Sequence, residues 1–66
     1  MKLTVNGTPY EHRGSGAIAA LLAEMGAEAK HVALLVNDRI VVSLERDAIV
    51  LKNGDTVEVL TFAGGG

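Results

Sequence analysis

Histidine, glutamate and cysteine are the residue types that most often carry catalysis or bind metals, and this chain offers few of them. It contains two histidines, His12 and His31, and no cysteine, so thiol chemistry and thiolate metal sites are excluded. Neither histidine has a ligand partner four residues away, and both are predicted to be ordinary surface or strand-end residues. Glu24 and Glu28 lie four residues apart near the end of a predicted helix, where a solvated face explains them better than acid-base catalysis. The sequence therefore predicts neither an enzyme nor a metal site.

The last three residues, Gly64, Gly65 and Gly66, offer a different chemistry, that of an unhindered carboxylate. Because glycine has no Cβ, such a tail can thread a narrow channel in another protein. The four residues after Phe62, fully extended, reach roughly 13 Å. The carboxylate could then lie inside a partner while the folded body stays outside. The alternative is an inert, frayed end, which is the default for chain termini, and composition alone leaves both open.

An apolar patch is predicted beside this tail. Leu60 and Phe62 project from the last predicted strand on the side opposite Val57 and Val59. Leu35, on a neighbouring strand, projects to the same side, onto a sheet face that a single helix cannot cover. A covering loop, or a Phe62 that merely plugs the strand end, would explain each residue singly. Together, next to a glycine tail, they predict a docking surface for a partner.

The elements that position these residues begin with a hairpin and a helix. Lys2 to Val5 alternates polar and apolar residues, Asn6-Gly7 is a strong hairpin signal, and Thr8 to Glu11 is the returning strand. Pro9 lacks a backbone donor, which places that strand at a sheet edge. A helix follows, with Ser15 as its predicted N-cap and Gly26 at its end. Its apolar stripe at helical spacing consists of Ile18, Leu21, Leu22 and Met25.

The second half of the chain reads as three strands separated by turns. The predicted strands are His31 to Val36, Ile40 to Val42 and Thr56 to Phe62, with residues 49–51 returning to the core between the last two. The main elements follow the order ββαββ, with Ile40 to Val42 as a further short strand. One helix over a small mixed sheet predicts an α+β fold of the β-grasp (ubiquitin-like) type. Residues 1–63 form this predicted domain, and residues 64–66 are a flexible tail.

Composition excludes several classes of function. The chain has 66 residues, a net charge of −2 and one residue each of tyrosine and phenylalanine. One small domain is therefore expected, without the clustered positive charge or stacking platform of a nucleic-acid-binding protein. No apolar run approaches the ~20 residues that span a bilayer, and the first residues do not resemble a signal peptide. We expect a soluble, cytoplasmic protein.

Several short motifs together resemble the thiamine-biosynthesis sulfur carrier proteins of the ubiquitin-like superfamily. The motifs span the whole chain: Val5-Asn6-Gly7, the helix stripe, Val36-Asn37 with Ile40-Val41, Asn53-Gly54-Asp55 with Val57-Glu58-Val59, and the terminal Gly-Gly-Gly. The Gly-Asp turn and the Gly-Gly terminus are common to all ubiquitin-like sulfur carriers, so the resemblance is more specific for the superfamily than for the pathway.

The resemblance implies a covalently modified co-substrate rather than a catalyst, with no bound cofactor. An E1-like adenylyltransferase would use ATP to adenylate the carboxylate of Gly66. A persulfide donor such as a cysteine desulfurase would then supply sulfur, giving a thiocarboxylate that serves thiazole synthase. Gly64 and Gly65 would let the tail enter a partner's active site, and Leu35, Leu60 and Phe62 would bind the partner.

The chain also departs from the pattern of this family. Many thiamine carriers have Pro-Arg after the Ile-Val pair and a tryptophan soon afterwards, where this chain has Val42-Ser43 and Arg46. A carrier for cysteine or molybdopterin synthesis therefore stays open. So do a protein-conjugating modifier and a non-covalent interaction module.

Overall fold

The computed structural model describes residues 1–27 and 32–61, which form a five-stranded mixed sheet with one α-helix on one face. The elements in chain order are β1 (Lys2–Val5), β2 (Thr8–Glu11), α1 (Ile18–Met25), β3 (Val32–Val36), β4 (Arg39–Val41), a 3₁₀ helix (Ser43–Ala48) and β5 (Thr56–Thr61). The strand order is β2-β1-β5-β3-β4, with β1 parallel to β5 and the other neighbours antiparallel. This is the predicted β-grasp fold, with β2 at one edge.

Two hairpins with two-residue turns set the register of the sheet. Asn6 and Gly7 have φ of 51° and 78°, and Asn37 and Asp38 have φ of 51° and 69°. Two consecutive positive φ angles make a type I′ turn, whose twist matches that of the flanking strands. The first hairpin is as predicted. The strand after the second turn is Arg39–Val41 rather than residues 40–42.

The helix ends as predicted but begins differently. At its end, Gly26 adopts the left-handed conformation with φ of 72°, and the N–H groups of Gly26 and Ala27 donate to the carbonyls of Ala23 and Leu22. At its start, the prediction that Ser15 caps the helix is wrong. Ala17, in extended backbone, takes the N-cap position without a side-chain hydrogen bond. Ala17 instead pairs with Val50 in an isolated β-bridge, so tertiary contact defines this end of α1.

The core lies between α1 and the face of the sheet that it covers. Its buried side chains are Leu3, Val5, Ile18, Leu21, Leu22, Val32, Leu34, Val41, Leu51, Val57 and Val59. Each contributes roughly 1.5–3 kcal/mol through removal from water, before the entropy of ordering is subtracted. Of residues 49–51, which were all predicted to return to the core, Leu51 is buried and the partly buried Ile49 packs against the core, whereas Val50 is 62% exposed. The opposite face of the sheet has no helix among the described residues.

Candidate functional site

His12 directly follows β2, so the predicted strand-end position is confirmed. It is buried at 1% exposure, so the alternative of a surface residue is wrong. Its Nε2 lies 3.1 Å from the backbone nitrogen of Gly16. Because an amide N–H can only donate, Nε2 must accept, and the ring is the neutral tautomer with its proton on Nδ1. Nδ1 then donates to Glu24 Oε1 at 3.0 Å. Both ring nitrogens are thus engaged within the fold, which makes His12 a structural residue. His31 lies outside the described residues.

Glu24 was predicted to be part of a solvated helix face, but its side chain also makes specific hydrogen bonds within the fold. Its carboxylate accepts hydrogen bonds from His12 Nδ1, from the Tyr10 hydroxyl at 3.0 Å and from the backbone N–H of Arg13 at 3.0 Å. The bond from His12 is the largest cause that holds the pKa of Glu24 below its ordinary value, and the Arg13 and Tyr10 bonds add to it. Glu24 therefore fastens α1 to the segment after β2. Glu28 lies outside the described residues.

The lowered pKa of Glu24 makes stability depend on pH. Since the folded carboxylate binds a proton less tightly than the unfolded one, its contribution is complete above the ordinary carboxyl pKa and disappears as pH falls through the lowered value. We expect Glu24→Gln to be less stable than the wild type at neutral pH and to lose less stability on acidification. Urea unfolding at about pH 7 and about pH 3 measures both effects.

Asp47→Asn, at an exposed position of the 3₁₀ helix, is the matched control for this pH dependence and should keep the wild-type profile. A Glu24→Gln variant with the same acid-induced loss as the wild type would show that this carboxylate does not carry the effect.

Neither a metal cluster nor a membrane span is present in the described part of the chain. Residues 1–27 and 32–61 contain no group of three or more histidine, cysteine, aspartate or glutamate side chains able to hold a metal ion. The helices within the same ranges lack the length and apolar character that crossing a bilayer requires. The remaining candidate is the open face of the sheet and the chain that leaves β5.

An apolar patch occupies one half of the open face and consists of Ala33, Leu35, Ile40 and Leu60. Ala33 lies opposite Leu60 across β3 and β5, and Leu35 lies opposite Ile40 across β3 and β4. Leu60 is 53% exposed and Ile40 is 73% exposed. Leu35 and Leu60 therefore share this face, as predicted. Phe62, the third residue predicted there, lies outside the described residues.

Ile40 is the large member of the apolar patch that sequence reasoning missed, beside the smaller Ala33. The signal was available, because a two-residue turn at Asn37-Asp38 places Val36 opposite Arg39 and hence Leu35 opposite Ile40. Residues directly opposite on neighbouring strands project to the same face. The short apolar run of β4 concealed this, since Val41 is buried in the core while Ile40 points to the open face.

β5, the strand that precedes the predicted tail in the sequence, is the central strand of the sheet. It pairs with β1 on one side and β3 on the other, and its last described residue is Thr61. On the β1 side, where the first hairpin turns away, the side chain of Asn6 accepts the N–H of Val59 at 2.8 Å. The strand is thus supported on both sides nearly to its end. Gly64, Gly65 and Gly66 follow outside the described residues.

Comparison with known proteins identifies the family. The sequence model of the ThiS family matches residues 3–66. The sulfur carrier protein ThiS of Thermus thermophilus is 39% identical over 62 residues, which are 94% of this chain and 95% of that protein. The chain belongs to the ThiS family. It is a sulfur carrier protein of thiamine biosynthesis rather than an enzyme.

Two solved structures and a second relative extend the ThiS comparison. A crystal structure of the thiamine biosynthesis protein ThiS from Geobacter metallireducens has a TM-score of 0.81 at 38% identity and covers both chains completely. A solution structure of a thiamine biosynthesis protein from the same organism has a TM-score of 0.79 at 35% identity, covering all of this chain and 88% of that one. A thiazole synthase of Paramagnetospirillum magneticum is 35% identical over 66 residues. The chain spans 20% of the length of that protein.

Proposed function

We propose that the carboxylate of Gly66 is the reactive group of this carrier, the one to which sulfur is attached. An E1-like adenylyltransferase adenylates it with ATP, a persulfide donor such as a cysteine desulfurase supplies sulfur, and the resulting thiocarboxylate delivers sulfur for thiazole formation. The single observation that carries the proposal is the family match, which runs to residue 66 and so includes the terminal Gly-Gly-Gly. The cytoplasm, where ATP is available, is the proposed location.

The chemistry accounts for a carrier with no catalytic residue of its own. A carboxylate is a poor electrophile because its oxygen is a poor leaving group; adenylation joins that oxygen to AMP, releases pyrophosphate and so makes AMP the leaving group. The outer sulfur of the donor's persulfide displaces AMP at the carbonyl carbon to give an acyl disulfide, and a second thiol reduces this to the thiocarboxylate and is itself oxidised to a disulfide. The thiocarboxylate is a nucleophilic sulfur tethered to a protein that a partner can recognise. Gly64 and Gly65 support this role because they present no Cβ to the walls of a partner's active site.

The apolar patch is the proposed docking surface for the activating partner. Its two large exposed side chains, Leu60 and Ile40, lie on the open face, and Leu60 is two positions before Phe62, which is proposed to extend the surface. A partner bound there would hold β5 with the tail directed into its active site. Thiazole synthase is the proposed sulfur acceptor. The similarity of the whole chain to one fifth of a thiazole synthase supports that assignment.

Intact-mass spectrometry tests this function. The chain is incubated with ATP, a ThiS-activating adenylyltransferase, a cysteine desulfurase, cysteine and a thiol reductant that releases the thiocarboxylate. We expect the mass increase that corresponds to exchange of one oxygen for sulfur, and fragmentation should place it on Gly66. A ladder of larger adducts would instead indicate a protein-conjugating modifier. An unchanged mass would indicate a non-covalent interaction module.

Leu60→Glu separates docking from folding. Because Leu60 is exposed, its replacement should change the free energy of unfolding by no more than about 0.5 kcal/mol. Placing a charge within an apolar interface should raise the Kd for the activating enzyme at least tenfold, about 1.4 kcal/mol. Isothermal titration calorimetry and thermal unfolding measure the two quantities.

Val50→Glu is the matched control for Leu60→Glu, since Val50 is 62% exposed but pairs with Ala17 away from the open face. It should bind the activating enzyme like the wild type. Equal losses of affinity in both variants would argue against the apolar patch as the docking surface.

A further inference from the structure

β3 extends beyond its pairing with β4, and the carbonyl of Val32 lies in this extension. The last pair between β3 and β4 is Leu34 with Val41, after which the chain leaves the sheet and forms the 3₁₀ helix. Backbone polar groups alternate between the two sides of a strand, so Val32, two residues before Leu34, presents its carbonyl to the same side as Leu34. No residue of β4 reaches it, and a lone carbonyl in a partly buried position is costly.

Arg46 supplies the hydrogen bond that a neighbouring strand would otherwise donate to this carbonyl. From the 3₁₀ helix, its Nη2 donates to the Val32 carbonyl oxygen at 2.8 Å, in a partly buried hydrogen bond. The donor is charged, and such bonds are shorter and stronger than those between neutral groups. On the β1 side of β5, the side chain of Asn6 has an equivalent role, since it accepts a hydrogen bond from the N–H of Val59.

This bond lies beside the end of β5, the strand that precedes the tail in the sequence. Across β3 and β5, Val32 is the register partner of Thr61, and Thr61 is the last described residue of β5. The end of β5 that precedes the glycine tail in the sequence therefore lies directly against the part of β3 that Arg46 contacts. Arg39 lies at the opposite end of β3, where it pairs with Val36 in the ladder between β3 and β4.

We propose that Arg46 is a positioning residue of the carrier, which fixes the start of the tail by completing the sheet at Val32. The proposal rests on the proposed function, since a fixed start matters only if the tail must reach a partner's active site. A frayed start would have to be ordered when the carrier binds, and that entropy would be lost from the binding free energy. Arg46 thus acts on binding to the activating enzyme and not on the chemical step.

Backbone ¹⁵N relaxation of the whole chain tests the structural part directly. In Arg46→Ala we expect the order parameters of Val32 and Thr61 to fall from the rigid value of about 0.85 toward about 0.6, while those of β1 and α1 stay unchanged. Arg39→Ala removes the same charge from the other end of β3 and should leave Val32 and Thr61 rigid. Arg46→Lys keeps the charge and one donor on a shorter side chain and should recover part of the order. Unchanged order parameters in Arg46→Ala, or a wild-type Thr61 that is already mobile, would overturn the proposal.

Steady-state kinetics of sulfur loading tests the functional part. Arg46→Ala should raise the KM for the carrier about tenfold, the effect of losing one charge-assisted hydrogen bond, with kcat unchanged. A fall in kcat at constant KM would contradict a positioning role. If the wild-type chain accepts no sulfur, the proposed function fails, whereas the relaxation measurements still decide whether Arg46 orders the strand end.

Discussion

A chain that lacks Gly66 is expected to accept no measurable sulfur while keeping the thermal stability of the wild type. Deletion moves the terminal carboxylate back by one residue, about 3.5 Å when extended. A displacement of only 1 Å from the reactive geometry can cost about 100-fold in rate, so the adenylation step should be lost. Gly66→Ala, which adds a Cβ at the same position, should behave in the same way. Intact-mass spectrometry after incubation with ATP, the activating enzyme and a persulfide source measures the loading.

Two measurements make the Gly66 prediction specific. Lys52→Ala, an exposed substitution in the turn before β5, should load sulfur like the wild type. The Tm of the deletion variant should stay within about 2 °C of the wild-type value, because a chain end that is proposed to be a free tail contributes little to stability. Sulfur loading of the shortened chain would show that Gly66 is not the reactive residue. A large drop in Tm would show that the tail is part of the fold.

Replacement of His12 should be the most destabilising single change outside the apolar core. His12→Ala leaves a cavity, removes the acceptor for the Gly16 N–H and removes one of the donors to Glu24. Together these losses should cost about 2–4 kcal/mol. A domain of this size has roughly 3–10 kcal/mol in total, so a large share of the stability is at stake. With a denaturant slope near 1 kcal/mol/M, the urea midpoint should fall by about 2 M or more.

Variants at and near His12 can divide this cost between its two hydrogen bonds. His12→Gln places an amide oxygen near the position of Nε2 and should recover the bond to Gly16. His12→Asn places an amide donor near the position of Nδ1 and should recover the bond to Glu24. Each should be more stable than His12→Ala. Ser15→Ala, at the exposed position once expected to cap the helix, should change stability by less than about 0.5 kcal/mol. A small loss of stability in His12→Ala would show that the two hydrogen bonds of the ring contribute little to the free energy of unfolding.

Whether a residue of the apolar patch could be predicted depended on whether a local sequence pattern is enough to place it. Leu35 and Leu60 could be placed on one face because side chains alternate along a strand regardless of the rest of the fold. Ile40 needed the register of the second hairpin, which depends on positive φ at both Asn37 and Asp38. Non-glycine residues rarely adopt that conformation, so the pattern Asn-Asp is a weaker turn signal than the Asn-Gly of the first hairpin.

The amino-acid sequence by itself determined the elements, their order and the family. The first hairpin, the helix stripe with its glycine end and the alternation of β5 are set by short-range sterics and by periodicity, which a linear pattern displays in full. Only the tertiary structure decided that His12 is buried, that Glu24 joins three donors and that Arg46 completes β3. Those roles depend on partners that are distant in the sequence: His12 and Glu24 are twelve residues apart, and Arg46 and Val32 are fourteen residues apart. Polar side chains read as exposed in a sequence because their partners are brought to them only when the chain has folded.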